Sequence, residues 1–162
     1  MHLLTLMQAM VLVAAANGTP VVAKKVFGSH FARPLDAGLR FIDRRPLLGS
    51  SKTIRGVVLS ILVTTAIAPL LGVAPKIGAL AAAAAMAGDL CSSFAKRRLA
   101  LAPSSRALGL DRVPESLLPL LACREALALT AADMALGVAL FFVGELVLSR
   151  LLYMADLRDE PY

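Results

Sequence analysis

The sequence predicts an all-α, polytopic membrane bundle of about five transmembrane helices, and three observations predict it. Hydrophobic residues make up 58% of the 162 residues and charged residues only 17%, against ~25% charged in soluble domains. Mean hydropathy is +0.75. The apolar residues fall into runs that approach the ~20 needed to cross a bilayer. This composition excludes an ordinary soluble enzyme, and the length allows one domain, 1–162. Net charge is +6 and pI ≈ 9.9. The charges cluster between the apolar runs, so the expected partners are anionic lipid headgroups or a polyanionic substrate, not nucleic acid.

The first run is residues 1–16, extending past Pro20 to Val22 if the helix tolerates the proline. Its apolar part, LLTLMQAMVLVAAA, lacks a basic flank, so it reads as a membrane helix rather than a cleaved leader. The second run is 54–72, with Pro69 near its end, and the third is 73–95. Small residues at 81–85 there allow close helix packing. The fourth, 113–122 (VPESLLPLLA), is too short to span alone. The fifth is 126–153.

Two basic segments separate these runs. Residues 23–53 carry Lys24, Lys25, Arg33, Arg40, Arg44, Arg45 and Lys52 against Asp36 and Asp43. Residues 96–112 carry Lys96, Arg97, Arg98, Arg106 and Arg112 against Asp111. Basic loops stay on the cytoplasmic side. Five spans then put the N-terminus outside and the C-terminus inside, in a multi-pass protein of the cell (plasma) membrane.

Asp89 lies inside the third apolar run, where a carboxylate is costly and is a functional hypothesis by default. Ser92, Ser93 and Lys96 follow on the same helical face. A carboxylate at the floor of a site with cations at its mouth suits a metal-bound polyphosphate; pairing with another helix for structure alone is the simpler alternative. The stretch DRRPLLGSSKTIRG (43–56) places small residues, Lys52 and Arg55 just before the second span, with hydroxyls at Ser51 and Thr53. Backbone N–H groups of such a loop can approach phosphate, although it is no Walker loop and also serves as a topology signal. In GLDRVPES (109–116), Asp111 and Glu115 open the fourth helix. They either cap it or complete a metal site with Asp89. Asp133 and Glu145 read as structural acids. Cys91 and Cys123 read as small buried residues without zinc spacing.

Four segments then occur in order: ANGTP (16–20), PLDAGLRFIDRRPLLGSSKTIRG (34–56), GDLCSSFAKRRL (88–99) and GLDRVPES (109–116), with LRDEPY at the end. Together they resemble the CDP-archaeol synthase family, integral-membrane CTP transferases related to CDP-diacylglycerol synthases. The resemblance implies a Mg²⁺-dependent nucleotidyltransferase that joins CTP to an isoprenoid-diether lipid phosphate, giving a CDP-lipid and pyrophosphate. It implies Asp89, Asp111, Lys52 and Lys96 as the catalytic set. Ser51, Thr53, Arg55, Ser93, Arg97 and Arg112 are the implied substrate contacts, with Asn17 as a candidate for the base, and Asp89, Asp111 and Glu115 are the implied metal ligands. The chain departs from the family in two places. Ser51 stands where the loop often carries a small residue after an acid (GDGKT), and the acid itself is absent. The second acid of the LDQLD element is displaced to Glu115, or else Asp133 in LTAAD takes that place. The reading from a different class is a small ion or solute transporter using Asp89, Asp133 and Glu145. Lipid type, ether or ester, and oligomeric state, homo-oligomer included, stay open.

Overall fold

The computed structural model describes residues 2–101 and 108–154. Arg106, Ser104 and the LRDEPY ending lie outside the described residues. Five helices occur in the described residues: α1 (Leu3–Phe27), α2 (Ile54–Ile67) continued by a 3-10 turn (Ala68–Leu71), α3 (Pro75–Arg98), α4 (Leu108–Ala122) and α5 (Ala131–Met154). The only β pairing described is two isolated bridges, Pro34 with Thr53 and Arg40 with Pro46. Among the described residues α1, α2 with its 3-10 turn, and α3 are long and apolar enough to cross a membrane. α4 has 15 residues, about 22 Å at ~1.5 Å each, which falls short of a ~30 Å hydrocarbon layer.

α1 runs 25 residues and continues through Pro20, taking the longer of the two expected courses and ending five residues beyond Val22. Proline removes the N–H that would bond to the carbonyl of Ala16 four residues earlier. In hydrocarbon that orphan carbonyl must find another donor. Ser60 of α2 supplies it, its Oγ donating to Ala16 O at 2.8 Å. The repair comes from a different helix, so no local pattern in α1 reveals it. α5 starts later than expected, at Ala131, because residues 123–130 turn back on themselves with Ala128 at φ +50°. Thr130 then caps the helix: the Asp133 backbone N–H donates to Thr130 Oγ1 at 3.2 Å, and the Thr130 N–H and hydroxyl both donate to Asp133 Oδ2 at 3.0 and 2.7 Å. This is a reciprocal capping box.

The core is built of small residues. Ala16, Ala82 and Ala85 pack together against Ile61. A second cluster joins Ala9, Leu12, Ala68, Ala81, Leu120 and Cys123. Association inside a bilayer rests on van der Waals packing, which favours small residues that let backbones approach. Cys91 differs from its expectation: it is exposed, whereas Cys123 is buried.

The most extensive helix interface is α3 with α4. It closes at Gly88, where a Cβ would stand 2.3 Å from Pro114 O and 2.9 Å from Glu115 N. Those are backbone atoms, so no side chain can yield. Glycine in a helix interior costs about 0.5–1 kcal/mol relative to alanine, and this close approach is its reason.

Candidate active site

The expected site residues meet at the basic end of the bundle, where the C-terminal half of α3, the start of α4 and the segment 28–53 that joins α1 to α2 come together. Lys52 Nζ pairs with Asp89 Oδ1. Lys96 Nζ pairs with Asp111 Oδ1 at 2.7 Å. The Glu115 carboxyl comes within hydrogen-bonding reach of Asp89 and also feels the charge of Lys52. This proximity follows from the fold, since Gly88 lets the backbone of residues 114–115 lie directly against α3. Ser92 Oγ donates to Gly88 O at 2.9 Å and reaches Asp111 O at 3.3 Å, which ties the first turn of α4 down beside it. Ser93, Lys96 and Arg97 are buried.

The segment that delivers Lys52 is held by Asp36. Its Oδ1 accepts from Gly38 N at 3.0 Å, and its Oδ2 accepts from Leu48 N and Gly49 N at 2.9 and 3.1 Å. Burial pushes this carboxyl's pKa up, but the N–H donors of Leu48, Gly38 and Gly49 outweigh it and hold the pKa below the ordinary value. Gly49 sits at φ +98°, a left-handed conformation that suits glycine alone, and packs against buried Arg97. The expected use of this loop's N–H groups as a phosphate cradle is therefore corrected at Leu48 and Gly49, whose donors Asp36 occupies. Neither Asp36 nor Gly88 stood among the expected site residues. Their signals were present: an Asp two residues before a Gly is an Asx-turn pattern, and a helical Gly demands a packing reason.

Other expected contacts are engaged within the protein. Thr53 is the N-cap of α2, its Oγ1 accepting from Gly56 N at 3.1 Å. Arg55 bonds the carbonyls of Gly28 (3.2 Å) and His30 and lies over the Phe27 ring. Arg112 Nε donates to Glu145 Oε2 at 2.8 Å and the guanidinium covers Phe142, tying α4 to α5. Asn17 Nδ2 donates to Val13 O at 3.1 Å and lies 3.5 Å from Glu115 O. That second carbonyl is the one Pro119 leaves free. Asn17 thus stands beside the site, while Ser51 is exposed at its mouth. Glu145 and Asp133 are committed to Arg112 and Thr130, so they do not line an ion path with Asp89.

The donor set suits a hard cation. Asp89 and Glu115 bring carboxyl oxygens side by side, an arrangement that repels unless a proton or cation lies between them. Among the described residues no three His, Cys, Asp or Glu side chains converge on one point. An ion held here would draw the rest of its shell from phosphate and water, the usual habit of Mg²⁺.

Fold and ion pairs define a class: a helical integral-membrane protein with acid–lysine pairs gathered at one end of the bundle. Comparison with known proteins makes this specific. The family described as CarS-like CDP-archaeol synthase matches residues 2–83. A CDP-archaeol synthase of Hyperthermus butylicus is 41% identical over 105 residues, covering 61% of this chain and 60% of that one. One from Pyrobaculum calidifontis is 36% identical over 115 residues, covering 65% and 66%. The matched stretch thus spans about three fifths to two thirds of these relatives. A solved intramembrane enzyme for archaeal membrane lipid biosynthesis is 30% identical, with TM-score 0.75 over 87% of this chain and 90% of that chain. The chain belongs to the CDP-archaeol synthase family.

Proposed function

We propose that the protein transfers the cytidylyl group of CTP to the phosphate of a membrane lipid, archaeol-type or phosphatidate-like, and releases pyrophosphate. The observation that carries this reading is the pairing of Lys52 with Asp89, beside Glu115, and of Lys96 with Asp111 on the same stretch of α3. Each lysine has a carboxylate to neutralise it at rest and can turn to a phosphate when substrate enters. Family membership and the relatives' names support the same reaction.

The lipid phosphate is already ionised, so no side chain need act as nucleophile. Its oxygen attacks the α-phosphorus of CTP in line. The bond from the α-phosphorus to the bridging oxygen breaks, and its electron pair leaves with pyrophosphate. Lys52, Lys96 and Arg97 hold phosphate oxygens, which is mainly positioning and charge stabilisation. Asp89 and Glu115 are the residues that would hold Mg²⁺, with phosphate and water completing its shell, while Asp111 pairs with Lys96 beside them. Bound there, Mg²⁺ would supply positive charge to offset that on the leaving pyrophosphate. The basic end faces the cytoplasm of the plasma membrane in this reading. Labelling of a single cysteine at Ser29 from the outer face of intact cells would contradict that orientation.

The deciding experiment is pyrophosphate release from CTP by purified protein across a panel of lipid phosphates, ether-isoprenoid and ester-diacyl. Turnover is expected with at least one. A protein that binds Mg²⁺ and stays folded yet releases no pyrophosphate with any of them overturns the proposal.

A further inference from the structure

The turn at residues 28–33 has a property that the reaction does not explain. Phe31 is 81% exposed and holds φ +57°. A bulky residue in the left-handed region is a genuine outlier, and glycine would take the same conformation freely. The turn combines a strained backbone with an aromatic ring held outward.

The depth of this ring follows from α2. With its 3-10 turn that helix covers 18 residues, Ile54–Leu71, about 27 Å at ~1.5 Å each. That matches a ~30 Å hydrocarbon layer, so Ile54 marks the boundary between acyl chains and headgroups. Both ends of the 28–33 turn are fastened at this level. Ile54 N donates to Arg33 O at 3.1 Å, and Arg55 holds the carbonyls of Gly28 and His30. Phe31 therefore projects within a turn or two of the membrane boundary. Exposed Lys25 and Arg33 flank it, and positive charge at this level complements anionic lipid.

We propose that the 28–33 turn is an interfacial anchor. It seats Phe31 at the acyl–headgroup boundary of an anionic leaflet, with Lys25 and Arg33 against lipid phosphates. The anchor is independent of the proposed reaction. It fixes the height at which the joining segment, and with it Lys52, meets the bilayer.

Ile42 provides the contrast. It is 91% exposed but belongs to the 40–46 turn, which Arg98 grips through Asp43 (2.5 Å) and Pro46 O (2.6 Å). Arg98 lies some 13 Å further along α3 than Asp89 at ~1.5 Å per residue, so Ile42 stands clear of the boundary.

The chain contains no tryptophan, which makes single-tryptophan reporters unambiguous. Phe31→Trp and Ile42→Trp proteins are placed in nanodiscs containing anionic lipid brominated high on the acyl chain. The Phe31→Trp protein should emit blue-shifted light and lose most of it to the bromines. The Ile42→Trp protein should emit as in water and lose little. Water-like, unquenched emission from Phe31→Trp overturns the anchor, and equal quenching of the two overturns the depth assignment. The unmutated protein supplies a check that needs no substitution. A photoactivatable lipid with its label near the headgroup should mark the peptide containing Phe31, and absence of label there again overturns the anchor.

Discussion

Lys52–Asp89 and Lys96–Asp111 join α3 to the segment before α2 and to α4, whereas Arg98–Asp43 ties α3 to the 40–46 turn and Arg112–Glu145 ties α4 to α5. The two regions use opposite cations for a physical reason. Lysine presents a compact point charge on a flexible stem, so it can leave a carboxylate for a phosphate. Arginine presents a rigid planar fork that makes several fixed bonds at once. Arg98 shows the second behaviour fully. It bonds Asp43 and Pro46 O, lies 4.8 Å from the Phe41 ring and 5.0 Å from the Phe94 ring, and those two rings meet edge-on at 5.3 Å. Under the proposed function the lysine pairs are the ones able to exchange partners, while Arg98 and Arg112 hold neighbouring elements together.

The sharpest test removes charge from the lysine region. Asp89→Asn keeps the shape and should abolish most turnover, by about 100-fold or more, as expected for a group that organises transition-state charge. Asp111→Asn should fall in the same direction. Because groups acting as one unit are non-additive, the double variant should be little worse than the weaker single. Initial rates of CDP-lipid formation measure this, and multiplied effects would separate Asp111 from the Asp89–Glu115 centre. Next come Lys52→Ala and Lys96→Ala, expected to lower turnover about 10- to 100-fold, the loss of one preorganised electrostatic contact, with melting temperature nearly unchanged. Normal activity in either would remove that lysine from the site.

The arginine region should respond in the other coordinate. Arg112→Ala leaves Glu145 without its partner and should cost about 3 kcal/mol of stability. Arg98→Ala acts at a more exposed pair and should cost about 1–2 kcal/mol. Thermal melts in detergent or nanodiscs report both. If Arg112→Ala instead raised KM for CTP without lowering the melting temperature, it would move into the substrate-binding set.

The smallest effect concerns Asp36. Its folded pKa lies below the ordinary value, so its contribution is present above the unfolded pKa of ~3.9 and lost as pH falls through the lower folded value. Asp36→Asn cannot offer acceptor oxygens to Gly38 and to the Leu48–Gly49 pair together. It should lower stability at neutral pH and flatten the fall in stability between neutral pH and pH ~3, relative to the unaltered protein. A parallel loss at both pH values would show that the charge contributes nothing.

The contrast between the two regions also explains what the sequence discloses. Helix count and order are legible because apolar run length is a one-dimensional property. Asp89 stands out because a carboxylate in an apolar run is costly. Lys52 and Lys96 are legible as cations, but their partners are set by tertiary contact between α3, α4 and the joining segment. The continuation of α1 through Pro20 depends on Ser60, forty residues away in α2, and no window on α1 contains it. Arg55, Arg112 and Thr53 look like phosphate ligands by residue type. Their engagement with Gly28 and His30, with Glu145, and with Gly56 is fixed only once the chain has folded.

The contact of Gly88 with the backbone of Pro114 has a mechanical consequence. It brings the main chain beside Asp89 directly against that of Glu115, so only their own side-chain rotamers set the distance between the two carboxyls. Lys52 reaches Asp89 from a different element, the segment entering α2. The two acids are thus brought together by one helix interface, and the lysine that meets them is delivered by another part of the chain.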